Sequence, residues 1–184
     1  MIFINACMRD KDSRTLKIAR NILKDFEYGE INLSELDLTP YTQFNNPTNT
    51  QIEKRFFEIS SKIANSDGVV IAAPFWDMSF PSLLKVFLEK LSINDIMFKD
   101  NGKTCVGIAK CPYMFFICTR GMNIEDGSHL EQATPYLKAL CELWGIQKFD
   151  YISAYNLDYL PNEVVEEKIA EASLKGKQKL ISIL

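Results

Sequence analysis

The sequence predicts an α/β fold in which one five-stranded parallel sheet is covered by helices on both faces. Three observations carry this expectation. Strand-like and helix-like runs alternate strictly along the chain, and such alternation builds a parallel sheet through crossover helices. The run Gly68-Val69-Val70-Ile71-Ala72-Ala73 is continuous and β-branched, as a strand buried on both faces requires. It then gives way to Pro74-Phe75-Trp76-Asp77-Met78-Ser79 before a helical run opens at Pro81. A buried parallel strand delivers a binding loop in this way, because open sheets bind ligands outside the carboxyl ends of their strands.

The elements follow in order. Met1 to Ala6 contains the apolar run Ile2-Phe3-Ile4 and reads as the first strand, and a helix follows from about Ser13 to Phe26. A short strand spans Glu30 to Leu33, and a helix from about Thr50 to Asn65 repeats Ile52, Phe56, Ile59, Ile63 and Ala64 at spacings of three and four. That stripe is the core face of an amphipathic helix. After the Gly68 to Ala73 strand come a helix from Pro81 to about Leu91, an apolar strand from Tyr113 to Cys118 and a helix from about Glu131 to Leu143. A strand near Phe149 to Tyr155 and a helix from Asn162 to about Leu180, striped by Val164, Val165, Ile169 and Ala172, complete the alternation. Two segments stand outside it. The polar stretch Tyr41 to Asn49 either overhangs a site or connects, whereas Asn94 to Cys111 carries an Asn101-Gly102 signal of the kind that closes a hairpin, forming a small flap.

Composition limits the function. The 184 residues carry a net charge of -3, which supplies no basic field for duplex nucleic acid or an anionic membrane. No cationic leader precedes the first strand, and no stretch reaches about 18 uninterrupted apolar residues, so a cytoplasmic protein of one domain (1–184) is expected. The five cysteines are odd in number and include no Cys-x-x-Cys, which suggests neither a disulfide framework nor a metal site. The single histidine, His129, excludes a site built on two imidazoles.

The loops after the first, third and fourth strands of such a sheet meet at one edge. The first, Cys7 to Thr15, offers the Ser13 and Thr15 hydroxyls, the cations Arg9, Lys11 and Arg14, and the carboxylates Asp10 and Asp12. Hydroxyls at a helix N-terminus suit a phosphate, although Asp12 or Ser13 also reads as an ordinary N-cap. Neither Gly-x-Gly-x-x-Gly nor a P-loop is present. The second loop is Pro74, Phe75, Trp76, Asp77 and Met78, whose aromatics either flank a flat ring or fill the core at a strand end. The third is Thr119, Arg120, Gly121 and Met122, where the glycine permits close backbone approach and the arginine offers a planar donor fork. A phosphate site, a stacking platform and edge donors together describe a flat phosphorylated cofactor, and riboflavin phosphate (FMN) fits better than a dinucleotide.

Over almost its whole length the chain resembles the FMN-dependent NADH-azoreductase branch of the flavodoxin-like quinone reductases. The similarity rests on Cys7, Ser13, Arg14 and Thr15 where that family shows a serine and then Ser-x-Ser/Thr. It rests further on Pro74-Phe75-Trp76-Asp77-Met78 for Pro-Met-Tyr-Asn-Phe, on Leu83-Leu84-Lys85, on Thr119-Arg120-Gly121-Met122 for Thr/Ser-Arg-Gly-Gly, and on Tyr136-Leu137 through Trp144-Gly145-Ile146. The resemblance implies a flavodoxin-like three-layer sandwich with strand order 2-1-3-4-5. It also implies bound FMN, NADH or NADPH as electron donor, and ping-pong transfer to quinones or azo compounds. FMN would be held by Arg9, Ser13, Arg14, Thr15, Pro74, Phe75, Trp76, Asp77, Met78, Thr119, Arg120 and Gly121. No side chain is assigned as a catalytic acid, His129 being a weak candidate, and a homodimer is expected. Cys7, Asp77 and Met122 depart from the family pattern at the phosphate, the ring and the substrate side. The rival readings are a flavodoxin-type electron carrier and a flavin-free binding module of the same fold.

Overall fold

The structure, a computed structural model, describes residues 1–9, 12–42 and 51–184, with only the backbone at 51–53. Residues 10 and 11, most of the Tyr41 to Asn49 loop and the Ile52 side chain lie outside the described residues. The parallel sheet comprises β1 (Ile2–Asn5), β2 (Gly29–Asn32), β3 (Val69–Pro74), β6 (Tyr113–Thr119) and β7 (Lys148–Ala154), in the order β2-β1-β3-β6-β7. This is the expected 2-1-3-4-5 order once the flap strands are counted. The flap is the antiparallel hairpin β4 (Phe98–Asp100) and β5 (Cys105–Gly107). Its turn is organised by Asn101, whose Oδ1 accepts from the Lys103 and Thr104 amides at 3.0 Å each, while Gly102 takes φ +81.

The helices are α1 (Arg14–Leu23), α2 (Gln51–Ala64), α3 (Ser82–Leu91), α4 (Ala133–Trp144) and α5 (Asn162–Ile183). The period of two along each strand sorts the core into two layers. Ile4, Ile71 and Phe116 stand in one register row and face α2, α3 and α4 through Phe56, Leu84, Phe87, Leu137 and Trp144. The neighbouring row of Phe3, Val70 and Phe115 faces α1 and α5 through Ile18, Ile22, Ile169 and Leu180. Both layers are apolar at the centre, with β1, β3 and β6 buried throughout apart from a half-buried Pro74. At the edge, β7 is only half buried, and its Asp150 pairs with Lys179 of α5 at 2.8 Å. In α5 the buried stripe is Val165, Ile169, Ala172, Ser173, Gly176, Leu180 and Ile183. The stripe therefore omits Val164, and apolar spacing could not announce Gly176, at which an added Cβ would stand 2.5 Å from Ile22 Cδ1. Among the described residues no helix is long and apolar enough to cross a membrane.

The flap is docked through backbone. Gly145 ends α4 in the left-handed conformation at φ +83, and both its amide and that of Ile146 donate to the Cys141 carbonyl at 2.9 Å. Gly107 lies directly against this cap, where an added Cβ would stand 2.0 Å from the Gly145 nitrogen. No rotamer relieves a backbone clash, so Gly107→Ala is expected to destabilise the fold by about 1–3 kcal/mol, measured by denaturant unfolding. Four of the five cysteines are buried. Burial pushes the Cys7 thiol up to about 11 and the Cys118 and Cys141 thiols up to about 12, and raises Cys111 as well. These four stay protonated and shielded at pH 8, whereas Cys105 is exposed on the flap. Because the thiolate is the nucleophile, iodoacetamide at that pH is expected to label Cys105 alone in the native chain. Mass spectrometry of the digested protein reads this directly.

Candidate functional site

The carboxyl ends of β1, β3 and β6 open into a cleft of ≈ 310 Å³ lined by Arg9, Asp12, Ser13, Arg14, Thr15, Pro74, Phe75, Trp76, Thr119, Gly121 and Asp158. A volume near 300 Å³ is at the small end for a ligand pocket. The loop after β1 forms its polar end. Ser13 is the N-cap of α1, its Oγ accepting from the Leu16 amide at 3.1 Å. Ser13 is thus an ordinary N-cap, yet a capping hydroxyl still has its own proton to donate. Thr15 and Thr119 share one hydrogen bond at 2.6 Å between their Oγ1 atoms. Two hydroxyls need only one proton for that bond, so the pair keeps a second donor. The Arg14 and Thr15 amides belong to the first helical turn, where N–H groups have no intrahelical acceptor and the helix dipole is positive.

The other end of the cleft is apolar. Phe75 is continuous with the sheet, its amide donating to the Thr119 carbonyl at 3.0 Å, and its ring is buried. Trp76 is 38% exposed. The two aromatics therefore divide the alternatives left open by the sequence: Phe75 is a core residue that reaches the cleft wall, and Trp76 is a surface platform. Trp76 and Ser79 then exchange backbone bonds of 2.8 and 2.9 Å across a tight turn whose central residues, Asp77 and Met78, have φ of 47 and 65. Left-handed backbone at a residue other than glycine costs about 1–2 kcal/mol. The Gln132 amide helps to hold the turn through a 2.9 Å bond to the Met78 carbonyl. Among the described residues the Asp77 and Met78 amides have no hydrogen-bond acceptor, a combination of strain and unspent donors that fits a recognition loop. Asp77 and Met78 stand just beyond the cleft lining.

Arg120 corrects the sequence reading. Its side chain has no exposed surface and does not line the cleft. One terminal nitrogen, Nη1, donates to the Ile124 carbonyl at 2.6 Å, and the other pairs with Asp126. The guanidinium lies between the rings of Phe75 and Tyr155, 5.7 and 5.8 Å from their centroids. Both terminal nitrogens are thus spent within the protein, whereas Nε is buried without a partner among the described residues, and Arg120 props Phe75 from behind. Cys7, His129 and Met122 also fall away from the cleft. The Cys7 thiol points to the Ala72 carbonyl at 3.5 Å, and His129 is exposed on a turn that does not reach the lining. Met122 also lies outside the lining, its carbonyl tied to the Asn156 amide at 2.9 Å.

Sequence reasoning missed Asp158, which comes from the loop after β7. Three backbone bonds stitch that loop to the one after β6: Asn156 to Met122 at 2.9 Å, Leu157 to Arg120 at 3.2 Å and Asp158 to Gly121 at 3.1 Å. The stitching lays the Asp158 carboxylate on Gly121, where an added Cβ would stand 1.8 Å from Oδ2. The glycine therefore makes room for a carboxylate. Asp158 Oδ1 in turn bonds Arg14 Nη1 at 2.7 Å. Only the adjacency of β7 to β6 could have signalled this, since 144 residues separate the partners.

The comparisons with known proteins agree with this architecture. Residues 1–180 match the family described as flavodoxin-like fold. An FMN-dependent NADH:quinone oxidoreductase of Clostridium perfringens is 25% identical over the whole of this chain and 96% of its own length. One of Clostridium beijerinckii is 33% identical over 64% of this chain and 58% of its own length. Among solved structures, an FMN-dependent NADH-azoreductase of Bacillus anthracis in complex with FMN superposes with a TM-score of 0.79 at 20% identity, covering 96% of this chain and 97% of that one. An NAD(P)H:quinone oxidoreductase of Methanothermobacter marburgensis gives a TM-score of 0.75 at 12% identity, with 96% of each chain covered. The chain belongs to the flavodoxin-like fold family.

Proposed function

We propose that this chain is an FMN-dependent NAD(P)H oxidoreductase that reduces quinones, azo compounds or similar two-electron acceptors. The observation that carries the reading is the meeting, in one cleft, of a hydroxyl-lined helix N-terminus with an exposed indole. Its polar end offers Ser13, the Thr15–Thr119 pair, the first-turn amides and the guanidinium groups of Arg9 and Arg14, a donor set suited to a phosphate. Its apolar end offers Phe75 and Trp76 to a flat ring, with the Asp77 and Met78 amides available to the ring's polar edge. The relatives matched over the full chain are named FMN-dependent NADH:quinone oxidoreductases, which supports the quinone part of this reading.

When bound, FMN would supply the redox chemistry, accepting a hydride from a reduced nicotinamide and passing two electrons to an acceptor in a ping-pong sequence. The protein's part is to hold and orient. Arg14, Ser13 and Thr15 fix the phosphate end, Arg120 keeps Phe75 in place from behind, and the strained Asp77–Met78 turn presents amides in a fixed direction. Trp76 leaves one side of the cleft open enough for reactants to stack in succession. A homodimer fits the same reading, the flap contributing the exposed apolar residues Val106 and Ile108 to the contact.

The direct test is reconstitution with FMN, desalting, and anaerobic addition of NADH or NADPH followed by a quinone. A retained flavin spectrum that bleaches with the nicotinamide and returns with the quinone is the expected result. Retention without bleaching would instead make the protein an electron carrier, and loss of the flavin on desalting would make it a flavin-free module. Asp77 supplies a second prediction. Its carboxylate is exposed and next to the proposed ring site, where it opposes the negative charge of a reduced flavin. Asp77→Asn is expected to raise the two-electron reduction potential by about 10–20 mV, the scale of a screened surface charge; equilibration with a reference dye would reveal it, and an unchanged potential would remove Asp77 from the ring's surroundings.

A further inference from the structure

The charges around the polar end of the cleft nearly balance. Among the described residues that line it, Arg9 and Arg14 face Asp12 and Asp158. A site built only to capture an anion would not carry two carboxylates. Asp12 is held locally, its amide bonded to the Arg9 carbonyl at 3.2 Å. Asp158 instead arrives from the far edge of the sheet, is set in place by the three backbone bonds between the loops after β6 and β7, and uses the space that Gly121 leaves open. Its Oδ1 lies 2.7 Å from Nη1 of Arg14, the one guanidinium in the first turn of α1.

We propose that Asp158 shares Arg14 with the phosphate end of the flavin nucleotide and so sets how tightly the nucleotide is held, an inference that rests on the reading of the cleft given above. Arg14 has five N–H donors in a planar fork, so one nitrogen can remain on Asp158 while the others face a phosphate. The arginine is thereby oriented but its charge is already partly countered. A phosphate entering the turn meets the hydroxyls and the helix dipole at full strength, and the arginine at reduced strength. It also meets direct repulsion from Asp158. A flavin without a phosphate meets none of this repulsion. Asp158 thus acts selectively on the charged end of the ligand, and FMN is held less tightly than an uncountered Arg14 would hold it.

The test compares FMN with riboflavin by fluorescence titration of the native chain, Asp158→Asn and a control, Asp25→Asn. Asparagine keeps the shape of the side chain and an acceptor for Arg14 while removing the charge. Asp25 pairs with Lys177 outside the cleft lining, and its replacement is expected to leave both affinities unchanged. Asp158→Asn is expected to tighten FMN about three- to tenfold, the scale of one exposed unit charge beside a phosphate, with riboflavin unchanged and the FMN gain shrinking at high salt. An FMN affinity that is unchanged or weakened in Asp158→Asn, or an equal change for FMN and riboflavin, overturns the proposal while leaving the flavin site intact. Absence of FMN binding by the native chain and both variants overturns the reading of the cleft, and this proposal with it.

Discussion

The register of the central strand governs the rest of the molecule. β3 pairs in parallel with β1 on one side and β6 on the other, so that Asn5, Ala72 and Ile117 share a row and Pro74 stands opposite Thr119. A slip of one residue in either ladder would turn every β3 side chain to the opposite layer. Val69 and Ile71 would then exchange places with Val70 and Ala72, misfitting two cores of different shape. The same register brings three strand ends level at one edge. The hydroxyls of Thr15 and Thr119 can meet at 2.6 Å only because β6 ends where α1 begins.

The groups that line the cleft lie on loops or at the element ends beside them, and each loop is fixed by a different device. The first is capped by Ser13. The second is a strained turn closed by paired backbone bonds between Trp76 and Ser79. The third is organised by a buried arginine bonded to Ile124 and Asp126, and the fourth is stitched to the third by a short backbone ladder. The energetics differ accordingly. An N-cap contributes about 1 kcal/mol, whereas removing the buried Arg120 leaves the Ile124 carbonyl without its donor and Phe75 without its support, at about 1–3 kcal/mol for the unsatisfied group alone. Arg120 is therefore the group on which the cleft wall depends, even though it touches no part of the cleft interior.

Surface ion pairs play a smaller part. Lys17–Glu166, Lys85–Glu89 and Lys175–Glu171 are all exposed, and pairs of that kind contribute about 0–1 kcal/mol. The Arg14–Asp158 pair is as exposed as these, so it too contributes little to stability. With Arg9 and Asp12 it contributes to the field at the polar end of the cleft, where the proposed reading puts the phosphate.

The sequence by itself determined the alternation and most element boundaries to within two or three residues, because burial periodicity is a local signal, whereas the strand order was implied only by the resemblance to the family. The apolar run of β3, the stripe of α2 and the Asn101-Gly102 turn each state their conformation within a few residues. The contents of the three loops were legible for the same reason, and nine of the twelve anticipated site residues line one cleft. Only the tertiary structure decided which way those residues face. Arg120 reads as a donor to a ligand until Phe75, Tyr155 and Asp126 surround it, and Cys7 as a poor donor in place of a hydroxyl at the phosphate end until its thiol is found bonded to the Ala72 carbonyl. Asp158 has no local signature at all. Its role arises from the pairing of β7 with β6 and a glycine on the neighbouring loop, and contacts that span 144 residues follow from packing rather than from any pattern within a segment.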